Sequence, residues 1–258
     1  MQTKIMFFDI DGTLVDMQSG QISPRTMEAL KRLKANGIRI CIATGRPAIS
    51  LPKFAGVEFD AYLTFNGSYC YGQEGTIFST PLRGEDVQKI IRNAAALGKP
   101  VSVATKNRLA SNGADEDLVQ YYGFAHQTLT VAEDFDEVSR GEVYQLMLSC
   151  RKGEYAAILR DVTGAKIAAW WDRAVDVIPA TGGKGTAVRK ILEYYGLRKA
   201  EAMAFGDGNN DIEMLEAVGT GVAMENASDD LKAVADDVCG HVARDGIYHY
   251  CLRHGLIG

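Results

Sequence analysis

Long apolar runs, paired cysteine motifs and an excess of positive charge are all missing from this sequence, and each absence removes a class of function. No hydrophobic stretch approaches the ~20 residues that a membrane span requires. One lysine and four apolar residues precede the first acids, too little for the hydrophobic region of a signal peptide. These features predict a cytoplasmic protein with no membrane partner. The five cysteines (Cys41, Cys70, Cys150, Cys239 and Cys251) are odd in number and show no C-x-x-C spacing, which argues against a disulfide framework or a zinc site. The four histidines form no H-E-x-x-H pair, and His249 and His254, flanking Cys251, read as satisfied or solvated side chains. With 28 Lys and Arg against 33 Asp and Glu, the net charge is −5, so a nucleic-acid partner is not expected. There is no internal repeat or low-complexity segment, and nothing implies a protein partner.

What is present is a chain of 258 residues, 47% hydrophobic, long enough for a sizeable core and for two compact units. Its two ends alternate strand and helix. Ile5–Phe8 is a continuous apolar run, as in a strand covered on both faces. Ser23 and Pro24 offer an N-cap and an N1 proline, and Met27, Leu30 and Leu33 share one helical face before Gly37. The strand pattern IRICIATGR follows, then AYLTFNG, ending at the turn signal Asn66-Gly67. Toward the C-terminus, Val188, Ile191, Leu192 and Tyr195 mark a helix stopped by Gly196. EAMAFGDGNND reads as a strand running into acids, NDIEMLEAVG as a helix, TGVAM as a strand, and Ser228 as the cap of a further helix. This rhythm predicts an α/β fold with a doubly wound parallel sheet. Residues 81–180 read differently. Helical patterns there (EDVQKIIRNAAALG, ADEDLVQYYG, EYAAILRDVTG) separate strand pairs, which predicts an α+β unit inserted into a core made of 1–80 and 181–258.

Three candidate strands end in polar groups: Asp9 and Asp11, then Thr44-Gly45-Arg46, then Asp207 through Asp211. Ligands of open α/β sheets bind beyond the carboxyl ends of the strands, so the fold would gather these groups at one edge. In an extended chain Asp9 and Asp11 would point to one side and repel unless a positive charge sits between them. Calcium loops do not fit. Counting from Asp9, Gly12 comes too early and Gly20 holds the closing position; from Asp207, Ile212 and Val218 replace the required Gly and Glu. Mg²⁺ fits scattered acids better, since it needs only one or two carboxylates beside water and a substrate phosphate. A carboxylate freed from the ion could act as nucleophile and its neighbour could move protons. Thr44, Gly45 and Lys184 supply donors for phosphate. Lys184 lies in TGGKGT, which is no nucleotide loop because Ile178 stands where the first Gly belongs and Gly185 follows the Lys. A cation at a helix start opposes the helix dipole and so calls for an acidic or phosphate partner.

FFDIDGTL, IATGR, the Lys of GGKGT and GDGNNDIEML, in this order, resemble the four motifs of the haloacid dehalogenase superfamily. The layout of the whole chain is similar to its Cof-type sugar-phosphatase branch. The resemblance implies a Rossmann-like core with a type IIB α+β cap that sets specificity, and a Mg²⁺-dependent phosphatase acting on small phosphorylated metabolites, sugar phosphates first. It further implies Asp9 as nucleophile and Asp11 as general acid and base. Metal would be held by the Asp9 carboxylate, the Asp11 backbone carbonyl and Asp207. Thr44 and Lys184 would hold phosphoryl oxygens, with Gly45, Arg46 and Asn210 at the substrate and Asp211 behind Lys184 or the metal waters. Dehalogenases of the superfamily lack the second acid, so Asp11 speaks against carbon–halogen cleavage. Two alternatives stay open: a phosphosugar mutase, which would need Arg and Lys clusters in the cap, and a non-catalytic phosphometabolite sensor. For Trp170 and Trp171, and for Tyr121 and Tyr122, packing is the first reading and sugar stacking the second.

Overall fold

A computed structural model describes residues 2–258. The first strands are β1 (Ile5–Phe8), β2 (Arg39–Ala43), β3 (Ala61–Thr64), β4 (Tyr69–Gly72) and β5 (Gly75–Ser79). Next come β6 (Val101–Ala104), β7 (Leu109–Ser111), β8 (Gln145–Ser149), β9 (Ala165–Ala168) and β10 (Ala174–Pro179). The last are β11 (Ala202–Gly206), β12 (Thr220–Ala223) and β13 (Asp237–Val238). They form two sheets, one in the order β13-β12-β11-β1-β2-β3-β4-β5 and the other β7-β6-β8-β10-β9.

In the larger sheet β1 runs parallel to both β2 and β11, and all four of its side chains are fully buried. That is why its sequence is an unbroken apolar run rather than an alternation. The helix Pro24–Ala35 begins as its sequence predicts: the Ser23 hydroxyl accepts from the Thr26 amide at 3.0 Å, and Leu30 and Leu33 are buried while Met27 is half-buried. The sheet is not wholly parallel. After β3 the segment Phe65–Gly67 makes one 3-10 turn, and β4 and β5 then add an antiparallel edge. This is the mixed form common among doubly wound folds.

The smaller sheet is antiparallel throughout and belongs to the stretch of chain between β5 and Lys184. The helix Gly84–Ala96 covers it through Val87, Ile90 and Ala94, so it has a hydrophobic cluster of its own. EYAAILRDVTG is less helical than its pattern suggests. Only Tyr155–Ile158 is α-helical, after a 3-10 turn at Lys152–Glu154, and Asp161 has left-handed backbone at φ 59°. A third cluster joins the layers: Phe65 of the larger one stacks on Tyr144 of the smaller, ring centroids 5.3 Å apart. No helix among the described residues is long and apolar enough to cross a membrane.

Candidate active site

Three adjacent parallel strands, β11, β1 and β2, end at Gly206, Phe8 and Ala43, and the next residue of each is Asp207, Asp9 and Thr44. The geometry of the sheet therefore puts these side chains side by side. The chain leaves β1 straight after Phe8 and turns, with the Leu14 amide donating to the Ile10 carbonyl at 3.0 Å. Asp9 and Asp11 are thus not neighbours along an extended strand, although both line the same cavity.

No single charge separates the two acids; each has a cation of its own. Lys184, the first residue of the helix Lys184–Tyr194, is 1% exposed and donates to Asp9 Oδ1 and Asp211 Oδ1, both at 2.6 Å. Arg46 forks onto Asp11, its Nε 2.7 Å from Oδ2 and its Nη2 2.6 Å from Oδ1. Asp211 spends its second oxygen on the backbone amides of Asp207 and Gly208, at 3.0 and 3.1 Å. Its carboxylate thereby fixes both Lys184 and the loop that carries Asp207. Asp207 Oδ1 accepts from the Thr13 hydroxyl at 2.8 Å. Gly12 makes that approach possible: it has φ +84°, and a Cβ there would lie 2.2 Å from Asp207 Oδ2.

The carboxylate oxygens of Asp9, Asp207 and Asp211 lie within 4.8 Å of one another and could hold a metal ion. Burial, reinforced by Asp211 and Asp11 and opposed by Lys184, pushes the Asp9 carboxyl up to about 7. Asp207 is pushed well above the usual carboxylate range by burial and by the charges of Asp9 and Asp211. Burial works against the charge of Lys184, but Asp211 and Asp9 outweigh it and the ammonium persists. The site is short of positive charge.

The remaining sequence-derived candidates lie around the same opening. Thr44 is buried, and its hydroxyl accepts from the Arg46 amide at 3.1 Å. Gly45 and Asn210 line the cavity, whose volume is about 280 Å³. Asn210 also donates to Asn66 Oδ1 at 3.1 Å. Lys184 lies at the edge of a second, smaller hollow beside Lys166 and Glu213.

Sequence reasoning missed the polar network on the wall that the smaller sheet supplies to the cavity. Asn66, read as a turn signal, is buried with left-handed backbone and reaches the smaller sheet. Its Nδ2 donates to Gln145 Oε1 at 3.0 Å and to Asp176 Oδ2 at 2.8 Å. Gln145 donates in turn to the Gly45 carbonyl at 3.2 Å. Asp176 also accepts from the Tyr121 hydroxyl at 2.7 Å, and Trp170 Nε1 donates to that hydroxyl at 2.8 Å. Burial drives the Asp176 carboxyl up to about 7 against the pull of these donors. One signal was available: Asp176 interrupts an apolar strand whose six residues are all buried. Trp170 and Trp171 sit in the turn after β9, not in the strand. Trp170 packs against Tyr121 and lines the cavity, whereas the Arg173 guanidinium lies over Trp171, 4.3 Å from its ring centroid.

The chain is similar to several known proteins. The sequence profile of the haloacid dehalogenase-like hydrolases matches residues 6–251. YkrA of Bacillus subtilis (strain 168), a phosphatase by name, is 31% identical over the full length of both chains. YitU of the same organism, named as a 5-amino-6-(5-phospho-D-ribitylamino)uracil phosphatase, is 28% identical over 98% of this chain and 99% of its own. Among solved structures, the subclass IIB sugar phosphatase BT4131 superposes with a TM-score of 0.90 at 32% identity, over 99% of this chain and 100% of that one.

Proposed function

The chain belongs to the haloacid dehalogenase-like hydrolases and is a phosphatase, and from that premise we propose that it is a Mg²⁺-dependent hydrolase of small phosphomonoesters, sugar phosphates foremost, that works through an aspartyl-phosphate on Asp9. The observation that carries the reading is the state of Asp9. One of its oxygens is tied to Lys184, its other has no protein donor among the described residues, and it faces the cavity beside Asp11. That is what a nucleophile at the end of a phosphate site requires.

The residues fit a hard divalent cation. Asp9, Asp11, Asp207 and Asp211 bring four carboxylates against the two cations Lys184 and Arg46, a surplus of two negative charges when all are ionised. Asp211 has both oxygens occupied, so Asp9 and Asp207 would hold the ion together with the Asp11 backbone carbonyl. Bound there, Mg²⁺ would supply Lewis-acid neutralisation of the phosphoryl oxygens.

The chain's own residues would do the rest. The free Asp9 oxygen attacks phosphorus while the bond to the ester oxygen breaks. Asp11 gives that leaving oxygen its proton. It later takes one from the water that attacks the aspartyl-phosphate, which frees phosphate and restores Asp9. Lys184 and the Thr44 hydroxyl hold phosphoryl oxygens, Gly45 leaves its backbone amide accessible, and Asn210 adds a donor. Arg46 offers a planar fork for phosphate, and an incoming phosphoryl group would compete with Asp11 for it. Residues 81–180 would act as a cap that keeps bulk water from the intermediate and contacts the leaving group.

Phosphate release from a panel of monoesters, with Mg²⁺ and with chelator, tests the reading. Turnover should vanish with chelator and fall by roughly 10⁴-fold or more in Asp9→Asn. Equal turnover in Asp9→Asn would remove the nucleophile assignment, and ligand binding without release would favour the sensor.

A further inference from the structure

We propose that Asp176 selects the leaving group: its carboxylate accepts a hydrogen bond from a hydroxyl or amino group beside the phosphoester and turns away leaving groups that carry a second anion. The proposal rests on the phosphatase reading above and adds the substrate chemistry that it leaves open.

Three observations carry it. First, Asp176 is a carboxylate in the cavity wall, 1% exposed, and it makes no ion pair among the described residues. The cation whose field reaches it, Lys184, is committed to Asp9 and Asp211. A buried charge without a partner is costly, and an apolar residue would suit an interior strand better on packing grounds alone. Second, a carboxylate offers about four acceptor sites, and the protein fills two, with Tyr121 on Oδ1 and Asn66 on Oδ2. Gln145 on the same wall is tied at both ends of its amide, accepting from Asn66 and donating to the Gly45 carbonyl. Asp176 is the one carboxylate that residues 81–180 bring to the cavity among the described residues. Third, it stands beside the phosphate end, since a Cβ on Gly45 would lie 3.3 Å from Asp176 Oδ2. A leaving group tethered to a phosphate near Thr44 and Gly45 brings its first substituents to this carboxylate.

The surroundings define what it excludes. Apart from Gln127 and Gln145, the rest of this wall is apolar or aromatic, with Tyr122, Phe124, Met147 and Trp170 among its members. No lysine or arginine of residues 81–180 lines the cavity among the described residues, and Arg83, Arg108 and Arg151 are paired with Asp86, Asp134 and Asp117. Arg46 is the only cation lining the cavity among the described residues, and it lies at the phosphate end. Above about pH 7, where Asp176 is ionised, a second phosphate or a carboxylate would meet it with no cation of this wall to neutralise either charge.

The test compares kcat/KM for three matched esters: glucitol 6-phosphate, hexyl phosphate and glucitol 1,6-bisphosphate. It is run on the full-length wild type, on Asp176→Asn and on Asp176→Ser, the last in case the isosteric amide fails to fold. Both variants should lower the ratio of glucitol phosphate to hexyl phosphate by about 10- to 100-fold, mainly through KM. Both should also raise the bisphosphate relative to the monophosphate, a gain that a merely damaged protein would not show. Ratios within threefold of wild type in the variants, or a loss common to all three esters, would overturn the proposal. Failure of the Mg²⁺-supplemented wild type to release phosphate from any of these or from an aryl phosphate would overturn the phosphatase reading instead.

Discussion

The two walls of the cavity, one from each sheet, solve opposite electrostatic problems. At the strand ends four carboxylates and two cations interlock, so that Lys184 alone bridges Asp9 and Asp211. On the wall supplied by the smaller sheet a single carboxylate, Asp176, is held by neutral donors among aromatic rings. The first arrangement suits a reaction in which charge must be neutralised as it moves. The second suits recognition, where one fixed polar group in a dry wall gains discrimination from the penalty of leaving it unmatched. On the proposed reading chemistry and choice fall to different sheets, and the contrast can be tested from either side.

Lys184→Met should break it most severely. Asp9 and Asp211 would be left buried without their ammonium, and the loss of one partner from such a group costs about 3–5 kcal/mol. Chemical denaturation should show that loss at pH 8 and a smaller one at pH 5, where protonation relieves Asp9, whose carboxyl is raised to about 7, and turnover should disappear at both.

A smaller effect separates the walls by pH. Asp176 has its carboxyl raised to about 7, above the usual carboxylate range. A carboxyl raised on folding stabilises most below its unfolded pKa, and that contribution is lost as pH rises through the folded value. The melting temperature should therefore fall between pH 5 and pH 8, and Asp176→Asn should flatten the fall by a few degrees. An unchanged slope would mean that Asp176 titrates alike in both states.

Trp170→Ala should sharpen the comparison further. It removes an aromatic wall and the donor to the Tyr121 hydroxyl while leaving the strand-end acids in place. KM for a sugar phosphate should rise about tenfold, with a smaller change in kcat. A fall in kcat alone would move Trp170 into the chemistry.

How much of this was legible in the sequence follows the same division. Polar groups at strand ends are readable because a parallel sheet gathers whatever follows its strands, so the placing of Asp9, Thr44 and Asp207 side by side is legible in the sequence. Lys184 betrayed itself as a cation at the wrong end of a helix. The recognition wall left only a fainter trace, an acid inside an apolar strand pattern. Gln145 and Asp176 are single polar residues in short antiparallel strands, and their meaning arises only when Asn66 crosses from the other sheet to meet both. Pattern reasoning treats Asn66-Gly67 as a turn because Asn tolerates left-handed backbone; the structure has that backbone, at φ 52°, and uses the side chain as a link as well. The antiparallel edge of β4 and β5 escaped because alternation of strand and helix announces parallel sheets, and a hairpin that extends one looks like a loop.

Lys166 gives the smallest effect and the cleanest control for the largest. It holds Glu213 across the two sheets at 2.6 Å, the distance at which Lys184 holds its acids. Geometry alone would make the two pairs equal. Solvent makes them different: the Lys166 and Glu213 side chains are 31% and 48% exposed, so water screens their attraction and solvates either partner when the other is removed. Lys166→Ala should cost less than about 1 kcal/mol in denaturant unfolding, and 1 M salt should erase most of that. A cost of several kcal/mol that survives salt would show that this pair fastens the two layers together, and that the division between a strongly bonded chemical wall and a loosely tethered recognition wall is wrong.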